Sequence, residues 1–247
     1  MSNINDSFFD GYYKEIWRTI IPEELTVKEV DFMIPYFNLQ QGDQVLDLMC
    51  GYGRHAIALA KKGMAVTAVD NLGDYISEIS EVAEKEQLPL KAVKTDVLRY
   101  RSGEEFDLVL CMGNSLNFFN AAEVSKLLGI IAAHLKKGGR LLINSWSIAE
   151  IAMKNFKEKS WSRIGDLKFL TDSKFLFQPA RIETESTIIS NDGKTETKTG
   201  VDYIFSINEM ETMLGKGGLT LKKVYSIPGR KEFVPGEPRA YIVAEKI

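Results

Sequence analysis

Residues 45–55, Val-Leu-Asp-Leu-Met-Cys-Gly-Tyr-Gly-Arg-His, constrain this chain more than any other stretch. The apolar start, Val45, Leu46 and Leu48, is too short for a helix and reads as a buried strand. Gly51-Tyr52-Gly53 ends it, and residues 54–62 then take helical spacing, with Ile57, Ala58 and Ala60 apolar and Lys61 and Lys62 closing the last turn. Strand, glycine turn and helix in that order make the first half of a βαβ unit, whose turn holds nucleotide-like ligands. Gly51 and Gly53 let the backbone turn sharply and approach a ligand where a Cβ would intrude.

Asp47 sets the charge of that ligand. A phosphate-binding turn offers bare N–H groups and a helix N-terminus to an anion, and a carboxylate just upstream would repel it. A cationic ligand suits the position, and S-adenosylmethionine carries an α-ammonium and a sulfonium with no phosphate. Val45-Leu46-Asp47-Leu48-Met49-Cys50-Gly51-Tyr52-Gly53 resembles the first motif of the class I S-adenosylmethionine-dependent methyltransferases, [VI]-L-D-L-x-C-G-x-G, with Met49 where that family often has glycine. The resemblance implies a Rossmann-like α/β fold and places Cys50 with the two glycines at the cofactor. Arg54, at the helix start, could pair with the cofactor's carboxylate or stand as a surface cation.

The elements that follow keep this pattern. A second buried strand, 64–69, ends in Asp70, at about the spacing where ribose-binding acids occur in dinucleotide folds, and Asn71 and Leu72 continue the turn. An amphipathic helix, 74–87, leads to a third strand, 90–94, and to Thr95-Asp96-Val97. The resemblance makes Asp96, with Val97 beside it, the adenine-reading position. The fourth strand, 106–111, runs into Met112-Gly113-Asn114-Ser115-Leu116-Asn117-Phe118-Phe119. This loop resembles the family's fourth motif, beside the transferable methyl, and makes Met112, Gly113, Asn114 and Asn117 cofactor candidates. Turn chemistry is the alternative for both asparagines. The loop departs from the Asp/Asn-Pro-Pro-Tyr/Phe form of enzymes that methylate nucleic-acid bases or glutamine side chains, which points to another acceptor.

Residues 1–39 read as a helical cap. Tyr13 and Trp17 share a helix face, which either packs on the core or caps the cofactor and substrate, since aromatic faces attract cations such as a sulfonium. A second helix over 26–36 has Thr26 and Glu29 spaced as a capping box. A helix over 122–136 is closed by Lys136-Lys137-Gly138-Gly139, with His134 in its last turn, ahead of a fifth strand at 140–144. From 147 to 206 the chain turns to Thr, Ile and Phe, with runs at 167–178, 180–190 and 195–205 and a hairpin signal at Asn191-Asp192-Gly193. The middle run alternates polar and apolar faces, as antiparallel strands do, so this segment is an inserted sheet, either a substrate lid or a dimerisation surface. A helix at 207–216 and strands at 219–226 and 239–246 complete the main domain, 40–146 with 207–247. The expected fold is α/β: a Rossmann-like, seven-stranded, mostly parallel sheet with helices on both faces, a C-terminal antiparallel hairpin and the inserted antiparallel sheet.

At 247 residues and a net charge of −3, the chain has room for one such domain with its insertion and no general pull toward nucleic acid or anionic membranes. No apolar run is long enough to span a bilayer, and the two cysteines, Cys50 and Cys111, suit reduced thiols in a cytoplasmic protein. The function expected is in-line methyl transfer from S-adenosylmethionine, leaving S-adenosylhomocysteine, to N or O of a small molecule by a monomer or homodimer, with no metal and no nucleic-acid or membrane partner. A cofactor-binding regulator without turnover and an NAD-dependent dehydrogenase are the alternatives; Asp47 argues against the second. Methyl transfer needs positioning more than a strong base, so Tyr13, His55 and Tyr203 are noted as possible bases and none is assigned.

Overall fold

The structure, a computed structural model, describes residues 3–247. After a 3₁₀ turn at Ile4–Ser7 come helices α1 (Tyr12–Ile20) and α2 (Glu23–Tyr36). The α/β repeat follows: β1 (Gln44–Leu48), α3 (Arg54–Lys61), β2 (Ala65–Asp70), α4 (Gly73–Lys85), β3 (Leu90–Lys94), β4 (Phe106–Cys111), α5 (Ala121–His134) and β5 (Leu135–Ser145). Then come α6 (Ala149–Asn155), the four strands β6 (Lys159–Ile164), β7 (Leu167–Phe177), β8 (Ala180–Ile189) and β9 (Thr195–Tyr203), and α7 (Ile207–Lys216). The chain closes with β10 (Leu219–Ile227), β11 (Lys231–Glu232) and β12 (Ala240–Lys246).

The main sheet runs β11-β10-β12-β5-β4-β1-β2-β3. The strands from β5 to β3 are parallel, and β12 and β10 add antiparallel at the β5 edge. The sheet has eight strands where seven were expected. The additional one, β11, is two residues of the Pro/Gly loop that fold back against Tyr225 and Ile227, too short to leave a pattern in the sequence. Chain order reverses between β1 and β4, and an open sheet leaves its ligand crevice at such a switch point. Parallel strands are buried on both faces: α5 and α7 pack through Leu127, Leu128, Ile131, Met210 and Leu214 on one side, and α2, α3 and α4 through Val30, Met33, Leu59 and Ile79 on the other.

Two local expectations are corrected. Helix α5 stops at His134, and the Lys136–Gly139 stretch already belongs to β5. Lys136 pairs with Asp107 at 2.7 Å instead of lying on the helix end. His134 is buried, with Nδ1–H donating to the Ile130 carbonyl (2.8 Å) and Nε2 accepting from the Ser102 amide (3.0 Å). Helix α2 begins three residues before Thr26 and has no capping box there; Thr26 and Glu29 are both buried and used elsewhere.

Strands β6 to β9 form a separate antiparallel meander. Its first strand, with its scattered polar residues, was not expected. One face of the meander packs on the N-terminal segment: Ile16 meets Leu167 and Ile188, and Phe8 closes on Gly200, where a Cβ would come within 2.9 Å of the ring. Asn5 caps the edge of β9, its Nδ2 donating to the Val201 carbonyl (3.0 Å) and its Oδ1 accepting from the Val201 amide (2.9 Å). Residues 5–16 therefore sit between the meander and the carboxyl ends of the main strands.

Candidate active site

A cavity of about 460 Å³ opens over the carboxyl ends of β1, β2, β3 and β4. Its floor is the turn after β1. Met49 and Gly51 have φ of +55° and +54° and Gly53 has +77°, so three left-handed residues in five bend the strand into α3. The left-handed angle at Met49 fits the glycine often found there in the resembling motif. Gly53 does not line the cavity: it starts α3, and a Cβ on it would stand 2.7 Å from Ile79 Cγ1 of α4. Its missing side chain lets two helices approach, and Gly51 is the residue that faces the ligand space.

Three carboxylates crown neighbouring strands around this space. Asp70 is buried; its Oδ2 accepts from the Gly51 amide and its Oδ1 from the Leu72 amide, both at 2.9 Å. Burial raises its pKa and these amide bonds oppose the rise. Asp96 caps a 3₁₀ turn through the Leu98 amide at 2.8 Å and remains about half exposed. Asp47 is 1% exposed, and its Oδ2 has no hydrogen-bond partner. Burial pushes Asp47 up to about 7, with Arg54 opposing and Asp70 adding to the rise. A buried acceptor without a donor is costly, and here it faces a cavity large enough to supply one.

Behind Asp47 lies a cluster that the sequence reading missed. Glu29 of α2, 2% exposed, accepts from Arg54 Nη1 (2.6 Å) and His55 Nε2 (2.9 Å) on one oxygen and from the Tyr241 hydroxyl (2.7 Å) on the other. Burial works to raise its pKa, but the bonds from His55, Arg54 and Tyr241 outweigh it and hold Glu29 at about 2. Burial and then Arg54 push His55 down, which leaves it a neutral donor. Arg54 also donates to Thr26 Oγ1 at 2.9 Å. It therefore lines the cavity as a fixed cation, held beside Asp47 by α2.

Of the other expected site residues, Trp17, Cys50, Asn71, Leu72, Val97, Met112 and Gly113 line the cavity with the three acids, Gly51 and Arg54. Trp17 lies over Gly113, where a Cβ would be 3.6 Å from its ring, and packs against Trp146 at 5.7 Å between centroids. Tyr13 does not line the cavity; it turns toward the meander among Phe8, Phe9 and Phe169. Asn114 and Asn117 are buried beneath the loop. The Asn114 Oδ1 accepts from the Ser145 hydroxyl and the Trp146 and Ser147 amides at 3.0–3.1 Å, while Nδ2 donates to Ser147 Oγ and to Asp202 Oδ1. Asn117 Nδ2 donates to the Tyr203 carbonyl at 2.8 Å. These two amides fasten the inserted segment to the main sheet. The N-terminal segment adds Asn3, Asn5, Asp6 and Phe9 to the wall, tied across the opening by Asn71 Nδ2 to Asp6 Oδ1 and by the Tyr75 hydroxyl to the Phe9 carbonyl. Asn3-x-x-Asp6 forms a capping box, a signal legible in the sequence but not used.

The open α/β sheet thus brings acids at three strand ends and a glycine turn around one cavity, a lining whose charge suits a cation better than a pyrophosphate. Residues 45–139 match the family described as a methyltransferase domain. Along the sequence the chain is 27% identical over 158 residues to the glycine/sarcosine N-methyltransferase of Aphanothece halophytica, covering 62% of this chain and 59% of that protein. Two other curated relatives are matched over only 34% and 26% of their lengths. In fold it is similar to an S-adenosylmethionine-dependent methyltransferase from Clostridium acetobutylicum (TM-score 0.82, 19% identity, 95% of this chain and 96% of that one). The CcbJ methyltransferase from Streptomyces caelestis is equally similar (TM-score 0.82, 16% identity, 99% and 98%). The segment that matches the methyltransferase domain, 45–139, runs from the strand before the glycine turn to the start of β5, and the likeness to the two solved methyltransferases is one of fold over nearly the whole chain.

Proposed function

We propose that the protein transfers the methyl group of S-adenosylmethionine to N or O of a small molecule, and that the residues around the 460 Å³ cavity hold the cofactor. The observation that carries this reading is the unpartnered Oδ2 of Asp47. It is an acceptor suited to an α-ammonium and unsuited to a dinucleotide's pyrophosphate. In this reading Asp70, whose two oxygens are oriented by backbone amides, takes the ribose hydroxyls, and Asp96 accepts from the adenine amino group with Val97 beside it. Arg54, fixed by Glu29, stands opposite the cofactor's carboxylate. When bound, the cofactor supplies a methyl group already activated as a sulfonium. The chain then has to place an acceptor in line with it and exclude water. Trp17 and Gly113 serve that end: one offers an aromatic face to a cation, and the other a bare backbone under it. Among the described residues no helix is long and apolar enough to cross a membrane.

Thermal unfolding with S-adenosylmethionine, S-adenosylhomocysteine and NAD tests this. Stabilisation by the first two and none by NAD is expected, followed by release of S-adenosylhomocysteine when a mixture of small amines and alcohols is added. Stabilisation by NAD alone sinks the reading, and binding without release under any mixture leaves a cofactor-binding protein in place of an enzyme.

A further inference from the structure

Beyond the loop 112–117 lies a carboxylate that the cofactor site does not use. Asp202 is on β9, and because side chains alternate along a strand it shares the face of Gly200, which packs on Phe8. Its Oδ1 accepts from Asn114 Nδ2 at 2.8 Å, and the same Nδ2 also donates to Ser147 Oγ. Gly113 and Ser115, on either side of Asn114, line the cavity, so Asp202 stands one residue behind the cavity wall. Tyr13 of α1 is close enough for the Asp202 charge to raise its phenol, after burial has done most of the raising. One turn further along α1, Trp17 packs on Trp146. Among the described residues no lysine, arginine or histidine forms an ion pair with Asp202. This partly exposed acid, held by one neutral donor, has no cation of its own.

We propose that Asp202 is the acceptor-binding carboxylate, selecting small molecules that bear an amine and taking a proton from that amine before methyl transfer. The inference rests on the methyltransferase reading. An ammonium, R–NH₃⁺, has no lone pair. Passing one proton to the carboxylate leaves R–NH₂ and a neutral Asp202. The nitrogen lone pair then forms the N–CH₃ bond while the electrons of the S–CH₃ bond go to sulfur, which leaves as a neutral thioether. The product, R–NH₂–CH₃⁺, keeps the positive charge, and Asp202 returns its proton to water. Loss of solvent pushes Asp202 up to about 7, against the lowering effect of its polar neighbours Ser147 and Asn114. An alkyl ammonium near 10, as for lysine, then lies about three units, or roughly a thousandfold, uphill, within reach of a positioned base. An alcohol, near the roughly 15.7 of water, lies far beyond it, so the site favours amines.

The test uses the full chain saturated with S-adenosylhomocysteine and titrated calorimetrically with a matched pair, 2-phenylethylamine and 2-phenylethanol. The wild type should bind the amine at least tenfold more tightly than the alcohol at pH 8. That preference should fall to within about twofold in Asp202→Asn and survive in Asp202→Glu, with S-adenosylhomocysteine affinity unchanged in both. The groups facing Asp202 are Tyr13 from α1, Asn114 after β4 and Ser147 after β5, none of which titrates between pH 6 and 8. Amine affinity should therefore rise across that window in the wild type and stay flat in Asp202→Asn. No amine binding, equal binding of the two probes, or an amine preference that persists in Asp202→Asn overturns the proposal while the cofactor reading stands. Failure of the wild type to bind S-adenosylhomocysteine overturns both.

Discussion

Replacing Asp47 by asparagine should make the protein more stable and less able to bind its cofactor. The carboxyl is 1% exposed with one oxygen unpartnered, and burial raises its pKa from 3.8 to about 7. An acid whose folded pKa is raised loses folding stability as pH climbs from its unfolded value to its folded one, because the unfolded chain ionises first. The penalty is absent below pH 3.8 and complete above 7. At about 1.4 kcal/mol per unit it comes to roughly 4 kcal/mol at pH 8. Asparagine removes the charge and keeps an oxygen for the Ala56 amide that Asp47 accepts from, but its Nδ2–H₂ becomes a buried donor without a partner, at a cost of about 1–3 kcal/mol. The net gain at pH 8 is therefore about 1–3 kcal/mol. It should shrink as pH falls, cross zero between about pH 4.5 and 6, and become a loss of about 1–3 kcal/mol by pH 4.

The same substitution removes a charge-assisted bond to the cofactor's ammonium. Hydrogen bonds to charged groups contribute about 1.5–3 kcal/mol, so affinity for S-adenosylmethionine should drop roughly 10- to 150-fold. The assays are urea unfolding of the unliganded protein between pH 4 and 8 and calorimetry at pH 8. A variant less stable than wild type at pH 8 would show that the Asp47 charge is satisfied in the folded state, by water or by Arg54. Unchanged affinity would show that the orphan oxygen does not meet the cofactor. Either result breaks the link drawn here between a strained free site and a complementary ligand.

Two further substitutions probe the scaffold. Glu29→Gln should destabilise the protein by about 3 kcal/mol near neutral pH, since removing one member of a buried ionic cluster leaves the others uncompensated. The folded pKa of Glu29 lies at about 2 against an ordinary 4.5, so its contribution is complete above 4.5 and lost as pH falls toward 2. The gap between wild type and variant in acid titrations followed by circular dichroism should close over that range. Gly53→Ala should cost about 2–3 kcal/mol, because φ is +77° and the new methyl would stand 2.7 Å from Ile79 Cγ1. Gly51→Ala, at φ +54° with nothing within 4 Å, should cost only about 1 kcal/mol of stability and show its main loss in cofactor affinity. Chemical melts and calorimetry of the pair distinguish a packing glycine from a ligand-facing one.

What was legible in the sequence was whatever a local pattern dictates. Strands β1, β2 and β4 are short apolar runs because both of their faces are buried, and strand ends put Asp47, Asp70 and Asp96 on one rim without long-range information. What was not legible depends on partners far along the chain. Thr26 and Glu29 have the spacing of a capping box, yet their partners are Arg54, His55 and Tyr241, from elements 25 to 212 residues away. Asn114 and Asn117 carry the composition of a ligand loop, but their amides point inward to residues 28 to 88 positions later. Tyr13 and Trp17 share a helix face in the sequence, yet neighbouring chain separates them, Trp17 turned to the cavity and Tyr13 to the meander. A polar side chain at a strand end facing open space is read correctly from its neighbours in sequence. One that faces protein is read correctly only once its distant partner is known, and Asp202, bonded to Asn114 from 88 residues earlier, is of the second kind.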